Sequence, residues 1–186
     1  MRADAVRNRQ RIFDEAHSAI TAGEITLTLN ELAHRSGVGV GTVYRLFPTQ
    51  RAMLEAVLEE SVRGLIGVAA EAEQHPEQHP EPVQALVEFL HAALSAALAQ
   101  PGLIDILITE TDETDSLRQA KAELGAAASR LLARIHPAPA LTGENLLKLL
   151  CGLIHAVNEH PADRQPAAID AYLRILRAGL TPSPAP

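Results

Sequence analysis

Three glycines at alternate positions, followed by hydroxyl and cationic side chains, form the part of this sequence best suited to chemistry. Gly37, Gly39 and Gly41 stand in SGVGVGTVYRLFPTQR, in which Tyr44 and Arg45 come shortly after them. Alternate glycines allow a backbone to come close to another molecule, commonly to a phosphate group. The stretch therefore indicates an anion-binding site, and the elements around it have to show which anion it binds.

Other reactive side chains lack the spacing of a catalytic or metal site. Cys151 stands alone in an apolar segment, which predicts a small buried side chain. His75 and His79 are four residues apart, but the prolines beside them break the helix turn that would align two metal ligands, so we predict a polar loop there. The acidic segment 110–115 predicts a solvated loop that caps the next helix near Ser116. We therefore expect no enzyme activity, no metal site and no cofactor.

Composition and periodicity predict an all-α protein. Of the 186 residues, 47% are hydrophobic and 21% are charged, which is typical of a globular chain. Apolar residues recur every three or four positions, and no convincing alternating strand is present. The chain has no run of 18 apolar residues and no apolar signal sequence at its start, so we expect a cytoplasmic protein that does not enter a membrane.

The charge is unevenly distributed along the chain. The net charge is −7, yet residues 1–51 hold seven arginines and five acidic residues and carry about +2, which leaves −9 for the remainder. A basic amino-terminal part on an acidic body suggests that any polyanion meets the amino-terminal part. Arg7 and Arg35 are among its cations.

Two short helices joined by a tight glycine turn are predicted around the glycine stretch. Thr28 and Glu31 form a capping box that starts the first helix, and Gly37 ends it in the left-handed conformation. The second helix extends from about Val40 to Phe47 and is ended by the proline that follows. Together with an amphipathic helix over about 5–22, this order is the helix-turn-helix pattern.

Three interpretations of the glycines compete at this point. A dinucleotide or P-loop site needs a buried strand before the glycines, whereas a capped helix precedes them here and neither motif spacing is matched. A helix turn without a ligand is the second interpretation. The third is a recognition helix in the DNA major groove, where Gly39 and Gly41 allow close approach, Thr42 and Tyr44 donate to phosphates, and Arg45 reaches a phosphate or base edge.

The pattern T-x-x-x-L-A followed by S-G-V-x-x-G-T-x-Y-x-x-F-P resembles the DNA-binding domain of TetR-family transcriptional regulators over about 50 residues. The resemblance implies a dimeric repressor that reads a palindromic operator and a helical carboxy-terminal domain that binds a small effector. We accordingly predict a DNA-binding domain over 1–64, with its motif at about 28–47, and an effector-binding and dimerisation domain over 65–186.

The resemblance also implies the DNA contacts. It gives Val38, Val43 and Phe47 packing roles, and it places Gly39 where the family usually has serine. Gln50 stands where a lysine often meets phosphate, and Arg51 beside it is the alternative source of that charge. The predicted DNA-contacting residues are Arg7, Thr28, Arg35, Gly39, Val40, Gly41, Thr42, Tyr44, Arg45, Gln50 and Arg51.

The remaining chain predicts helices at about 82–99, 101–111, 116–135, 143–159 and 166–180. The helix over 143–159 is apolar almost all round, and the helix over 166–180 carries an apolar stripe. A small monomer cannot bury every face of such helices, so we predict a homodimer through these two. The alternative is that both belong to the core of one monomer.

Polar residues at helical spacing predict an effector pocket that is otherwise mainly apolar. The helix over 82–99 has a polar stripe opposite its core stripe, and the later helices carry isolated polar residues. The alternative for this stripe is ordinary solvated surface. The predicted ligand-binding residues, among which we favour the histidines, are Glu88, His91, Asp105, Thr109, His155 and Asn158.

The sequence thus predicts a DNA-binding transcriptional regulator, in particular a ligand-responsive repressor. The partners it implies are double-stranded DNA with a palindromic site, an unidentified small-molecule effector and a second copy of the chain. The alternative function is a helical protein-interaction module without sequence-specific DNA binding, which would not need Thr42, Tyr44 and Arg45 at their spacing.

Overall fold

Nine α-helices and no strand occur in the residues that the computed structural model describes, 2–74, 81–135 and 141–181. This confirms the all-α prediction, whereas the loop predicted around His75 and His79 lies outside the described residues. The helices are α1 (Arg2–Thr21), α2 (Leu29–Ser36), α3 (Val40–Leu46), α4 (Gln50–Gln74), α5 (Pro82–Ala99), α6 (Leu103–Ile108), α7 (Asp115–Ala133), α8 (Gly143–Asn158) and α9 (Gln165–Leu180).

The first three helices form the predicted helix-turn-helix unit, which we call the head. The Thr28 hydroxyl accepts from the Glu31 amide at 3.2 Å, and the Thr28 amide donates to the Glu31 carboxylate at 2.9 Å, so the capping box is confirmed. Gly37 ends α2 with φ +64°, as predicted. Arg11 of α1 donates to the Ser36 carbonyl at 2.6 Å and so ties α1 to the end of α2.

Helix α4 joins the head to the rest of the chain without a break. Its start is capped by the Thr49 hydroxyl, which accepts from the Ala52 amide at 2.9 Å. One hydrophobic cluster of buried side chains extends from Ile12 in α1 to Leu173 in α9. The predicted division between residues 64 and 65 falls within this continuous helix.

Helix α5 lies at the centre of the remaining helices, which we call the body. It packs against α4, α7, α8 and α9. Within the described residues it is the one helix long and apolar enough to span a membrane by length and composition. The core stripe predicted for it is buried, as are its other core-facing residues: Val83, Ala85, Leu86, Phe89, Leu90, Ala93 and Leu94.

Helices α7 and α8 cross closely where α8 begins. A Cβ atom added to Gly143 would lie 2.5 Å from the Gly125 carbonyl oxygen and 3.0 Å from the Ser129 amide nitrogen. Thr142 caps α8 by accepting from the Asn145 amide at 3.1 Å. Glycine is therefore required at this crossing because a side chain would collide with backbone.

The connection from α6 to α7 is mostly exposed and caps α7 near Ser116, as predicted, but the structure differs from the prediction at two points. Helix α6 is shorter than the predicted 101–111, because Gly102 precedes it in the left-handed conformation, with φ +86°. The acidic segment 110–115 is anchored to the protein, since Asp112 is only 8% exposed and pairs with Lys121. The cap of α7 is Thr114, whereas Ser116 donates to Glu59 at 2.7 Å.

Candidate functional site

Helix α3 presents one solvent-exposed face and one packed face. Val40 and Tyr44 are 47% and 45% exposed, although both are large and apolar or aromatic. Arg45 lies beside Tyr44 on the surface and donates to the Thr42 hydroxyl at 3.0 Å, so the two polar groups are held together. The residues predicted to pack, Val38, Val43 and Phe47, are all buried.

Gly39 and Gly41 are not required by the fold. A Cβ atom at either position would meet no described atom within 4 Å, and neither residue has a positive φ. Both residues are exposed. Gly41 lies inside α3, where glycine costs roughly 0.5–1 kcal/mol relative to alanine. Because nothing within the described chain explains this cost, the space above the first turn of α3 is available to another molecule.

The other predicted DNA-contacting residues that remain on the surface of the head are engaged in local pairs. Thr28 is exposed, but its hydroxyl donates to the Glu31 carboxylate at 2.7 Å. Arg7 pairs with Asp4, which lies one turn earlier in α1. Arg35 makes two hydrogen bonds to Glu24, at 3.1 Å and 2.6 Å, and they hold the pKa of that carboxyl below its ordinary value. An incoming phosphate would have to compete with these partners.

Gln50 and Arg51 are half-buried and bonded within the protein, so a phosphate would have to compete with these partners as well. The Gln50 amide donates to the Ile25 carbonyl at 3.2 Å, and Arg51 Nε donates to Glu55 at 3.0 Å. Arg51 Nη2 is buried without a hydrogen-bond partner among the described residues. The first turn of α4 directs both side chains toward intramolecular acceptors.

Glu55 was not singled out from the sequence, although it is fully buried. Its carboxylate accepts from the Glu113 amide at 3.0 Å and from the Thr114 amide and hydroxyl, both at 2.8 Å, as well as from Arg51. Burial acts to raise the pKa of Glu55, but these hydrogen bonds outweigh it and lower the pKa below its ordinary value. A signal was present, because Glu55 stands at helical spacing between the buried residues Ala52 and Leu58.

A cleft of about 410 Å³ opens in the body between α6, α7 and α8. Lys121 Nζ donates in it to Asp112 at 2.9 Å and to the carbonyl oxygens of Ile106 and Thr109. Cys151 is half-buried in its wall, and burial raises the pKa of this thiol. The described residues lining the cleft are Leu107, Ile108, Thr109, Glu110, Asp112, Arg118, Lys121, Ala122, Leu124, Glu144, Leu147, Lys148 and Cys151.

The predicted ligand-binding residues do not converge in this structure. Thr109 lines the cleft, whereas the other five are exposed at separate places: Glu88, His91, Asp105, His155 and Asn158. His91 lies 3.9 Å from Asp170 of α9 rather than in a cavity. The prediction failed because the polar stripe of α5 faces away from the core stripe that the body packs around. Six of the thirteen described lining residues are charged, but most of the surface that they present to the cleft is apolar, as was predicted for the pocket.

The outer face of α9 carries an uncovered apolar strip, whereas the exposed residues of α8 are mostly polar. The inner faces are buried, through Leu150 and Ile154 of α8 and Ile169 of α9. On the outer face of α9, Ile175 is 68% exposed. The small residues one turn from it in α9 are also exposed, namely Ala171, Ala178 and Gly179.

Comparison with known proteins shows which regulators the chain is similar to. No protein-family model matches the chain. The HTH-type transcriptional regulator SAB2452 of Staphylococcus aureus is 34% identical over 67 residues, which are 36% of this chain and 36% of that protein. The crystal structure of the TetR transcription regulatory protein from Mycobacterium vanbaalenii is 29% identical, with 97% of this chain and 99% of that chain covered and a TM-score of 0.51. The chain is thus similar to TetR-family regulators in fold, and about a third of it is similar in sequence to an HTH-type transcriptional regulator.

The fold is that of TetR-family transcriptional regulators, which supports a DNA-binding regulator, and the prediction that the chain is not an enzyme agrees with these relatives. The match to the curated relative spans only about a third of that protein. FadR from Bacillus subtilis, solved in complex with stearoyl-CoA, shares the fold with a TM-score of 0.62 at 16% identity, with 92% of this chain and 98% of that chain covered. The TetR fold thus accounts for the helix order of both head and body.

Proposed function

We propose that this regulator is a cytoplasmic homodimeric repressor that binds a palindromic operator through α3 and releases it when a small molecule occupies the cleft. The observation that carries the proposal is the pair of exposed glycines, Gly39 and Gly41, which the fold does not require. The functional division at residues 64 and 65, between DNA binding and effector binding with dimerisation, is part of the proposal.

The surface of α3 suits the major groove of DNA. Gly39 and Gly41 let the start of the helix approach the sugar-phosphate backbone without a side-chain clash. Tyr44 offers a hydroxyl to a phosphate, and Arg45 offers a guanidinium to a phosphate or a guanine edge. Val40 supplies an exposed apolar contact, for example to a thymine methyl group.

The uncovered apolar strip of α9 supports the homodimer through α8 and α9. Ile175 is exposed among alanines and a glycine, which permit two helix backbones to approach each other. Covering this face with its copy gives an isologous interface, whose two-fold symmetry matches that of a palindromic operator.

The cleft supports effector binding. Its volume falls within the range of small-molecule sites, and it combines apolar lining with charged groups. We propose a compact or aliphatic ligand with one polar or charged end, which fits apolar side chains such as Leu107 and Leu147 beside Lys121. A TetR-fold structure that holds stearoyl-CoA is consistent with this class. The ligand must favour the state that cannot bind DNA, since equal affinity for both states would shift nothing.

A gel shift with DNA flanking the protein's own gene tests the proposal. Contacts to about 6–10 phosphates by two heads should lower the affinity roughly 10³–10⁵-fold between 50 and 200 mM salt. Arg45→Ala should cost about 1–3 kcal/mol of binding free energy if the guanidinium reads guanine. Tyr44→Phe should weaken binding to all sequences alike, and Arg130→Ala, an exposed arginine of α7, is the control. Binding that does not depend on salt, or no binding to any promoter fragment, would reject the proposal.

A further inference from the structure

The connection between α6 and α7, residues 109–114, lies between the cleft and the start of α4. On its cleft side, Lys121 holds it through the Thr109 carbonyl and the Asp112 carboxylate. On its other side, Glu55 holds it through the amides of Glu113 and Thr114. Four residues of this six-residue connection thus carry bonds to two separate parts of the protein.

Both attachments are saturated. The ammonium group of Lys121 has three hydrogens and three acceptors, namely Asp112 and the carbonyl oxygens of Ile106 and Thr109. Asp112 is only 8% exposed, so without Lys121 it would be a nearly buried and uncompensated charge. A ligand group that takes over one bond of Lys121 therefore forces the connection to rearrange.

Such a rearrangement would remove hydrogen-bond donors from the Glu55 carboxylate. Its carboxylate is fully buried and depends on three donors from the connection and one from Arg51. A buried carboxylate that loses donors is strongly disfavoured. If the amides of Glu113 and Thr114 move, the first turns of α4 must move with them or open to water.

The first turns of α4 are also attached to the head. Gln50 donates to the Ile25 carbonyl, which lies between α1 and α2. Thr49, the cap of α4, bonds the Glu113 side chain. Thr49 to Glu55 are therefore bonded to the head on one side and to the connection on the other.

We propose that Glu55 is the positioning residue through which occupancy of the cleft changes the placement of the head. The regulatory role of this coupling rests on the proposed function, whereas the coupling between the cleft and the head can be measured in the protein without DNA or effector. The coupling involves two states. In the first, Glu55 accepts all four hydrogen bonds; in the second, the bonds from Glu113 and Thr114 are broken. A ligand that binds the second state better shifts the population toward it.

Amide hydrogen exchange tests the coupling without DNA or effector. Lys121→Met removes the cleft-side attachment and keeps an unbranched side chain of similar length. We expect at least about tenfold faster exchange of amides in α2 and α3 as well as in the connection, in the range of typical coupling factors. In a Glu55→Gln background, adding Lys121→Met should leave exchange in α2 and α3 unchanged. Glu60→Gln, which removes an exposed carboxylate of α4, is the matched control and should have no effect.

The result that would overturn the inference is equally specific. Faster exchange confined to α6, α7 and their connection would make Glu55 a structural anchor only. The inference would also be rejected if Lys121→Met and Glu55→Gln each accelerated amide exchange in α2 and α3 and the double variant showed the product of the two factors. Thr114→Val, which removes the hydroxyl donor and keeps the backbone amide, is the milder variant if Glu55→Gln does not fold, and it should mask the Lys121→Met effect in part.

Operator affinity gives the second readout. With a DNA fragment that the wild-type protein binds, Lys121→Met should change the affinity by about 5–150-fold, and this change should vanish in the Glu55→Gln background. If the wild type binds no fragment, the proposed function fails while the exchange experiment still decides the coupling. If the wild type binds and the two substitutions act independently, the coupling fails and the proposed function stands.

Discussion

At the scale of single residues, the fold requires glycine at position 37 but not at position 41. Gly37 has a positive φ, so its glycine identity follows from the turn. Gly41 is helical and has open space where a side chain would be. Its helical conformation would suit alanine at least as well. The open space next to Gly41 is where the proposed DNA would approach the helix.

We therefore expect Gly41→Ala to stabilise the protein and to weaken its binding to DNA. The stabilisation should be about 0.5–1 kcal/mol, because alanine loses less backbone entropy in a helix. Chemical denaturation and the gel shift measure the two effects. Gly64→Ala in α4, where a Cβ also meets no described atom, should stabilise similarly without changing DNA binding. Unchanged affinity of Gly41→Ala would contradict a close approach of DNA at this position.

Glu55 gives the protein a defined response to acid. Its folded-state pKa is lowered, so its contribution to stability is complete above the ordinary glutamate pKa of about 4.3 and is lost as the pH falls through the lower folded-state value. We expect Glu55→Gln to lower the free energy of unfolding by about 1.5–3 kcal/mol at pH 7. The gap to the wild type should narrow below about pH 4.3. Urea unfolding at fixed protein concentration measures this, with Glu60→Gln as control, and a gap independent of pH would contradict it.

Residues that act locally were predictable, and residues that act across the fold were not. The capping box of Thr28 and Glu31 involves neighbours in sequence, so its pattern was sufficient. Glu55 receives its donors from residues 58 and 59 positions away, and only the packing of α4 on α7 brings them together. The intramolecular partners of Gln50 and Arg51, the Ile25 carbonyl and Glu55, were likewise not evident from their motif position.

At the scale of the helices, apolar periodicity located each element, but its exact ends depended on special residues. Helix α5 has the predicted ends, because a proline starts it. The close crossing of α7 and α8 at Gly143 could not be inferred, because its glycine is required by a backbone 18 residues away. The cleft follows from how α6, α7 and α8 meet, which is why the residues predicted to form a pocket missed it.

Filling the cleft should abolish the response to an effector. Ala122 lines the cleft on α7, and Ala126, one turn later, is also exposed but does not line it. We expect Ala122→Trp to lose the thermal shift and the release from DNA that an effector from a compound screen produces. Ala126→Trp should retain both. If Ala122→Trp responds to the effector with the same affinity as the wild type, the effector binds outside the cleft.

At the scale of the whole molecule, the apolar strip on the outer face of α9 predicts the assembly. Replacing the exposed Ile175 by glutamate puts two like charges into the proposed two-fold interface, so Ile175→Glu should be monomeric and bind the operator more weakly. Light scattering at micromolar concentration measures the mass. Ile108→Glu, at an exposed isoleucine of α6, should remain dimeric. A monomeric wild type would contradict the prediction and leave α8 and α9 as part of one chain's core.

The continuity of α4 has a mechanical consequence. A helix of 25 residues is about 37 Å long, so tilting it by about 5° about one end moves the other end by about 3 Å. In a dimer the two heads must meet half-sites about 34 Å apart on one side of the duplex. Under the proposed function, a small rotation of α4 would therefore move a head far enough to mismatch the spacing of the half-sites, and a ligand would need to supply only the energy of that rotation.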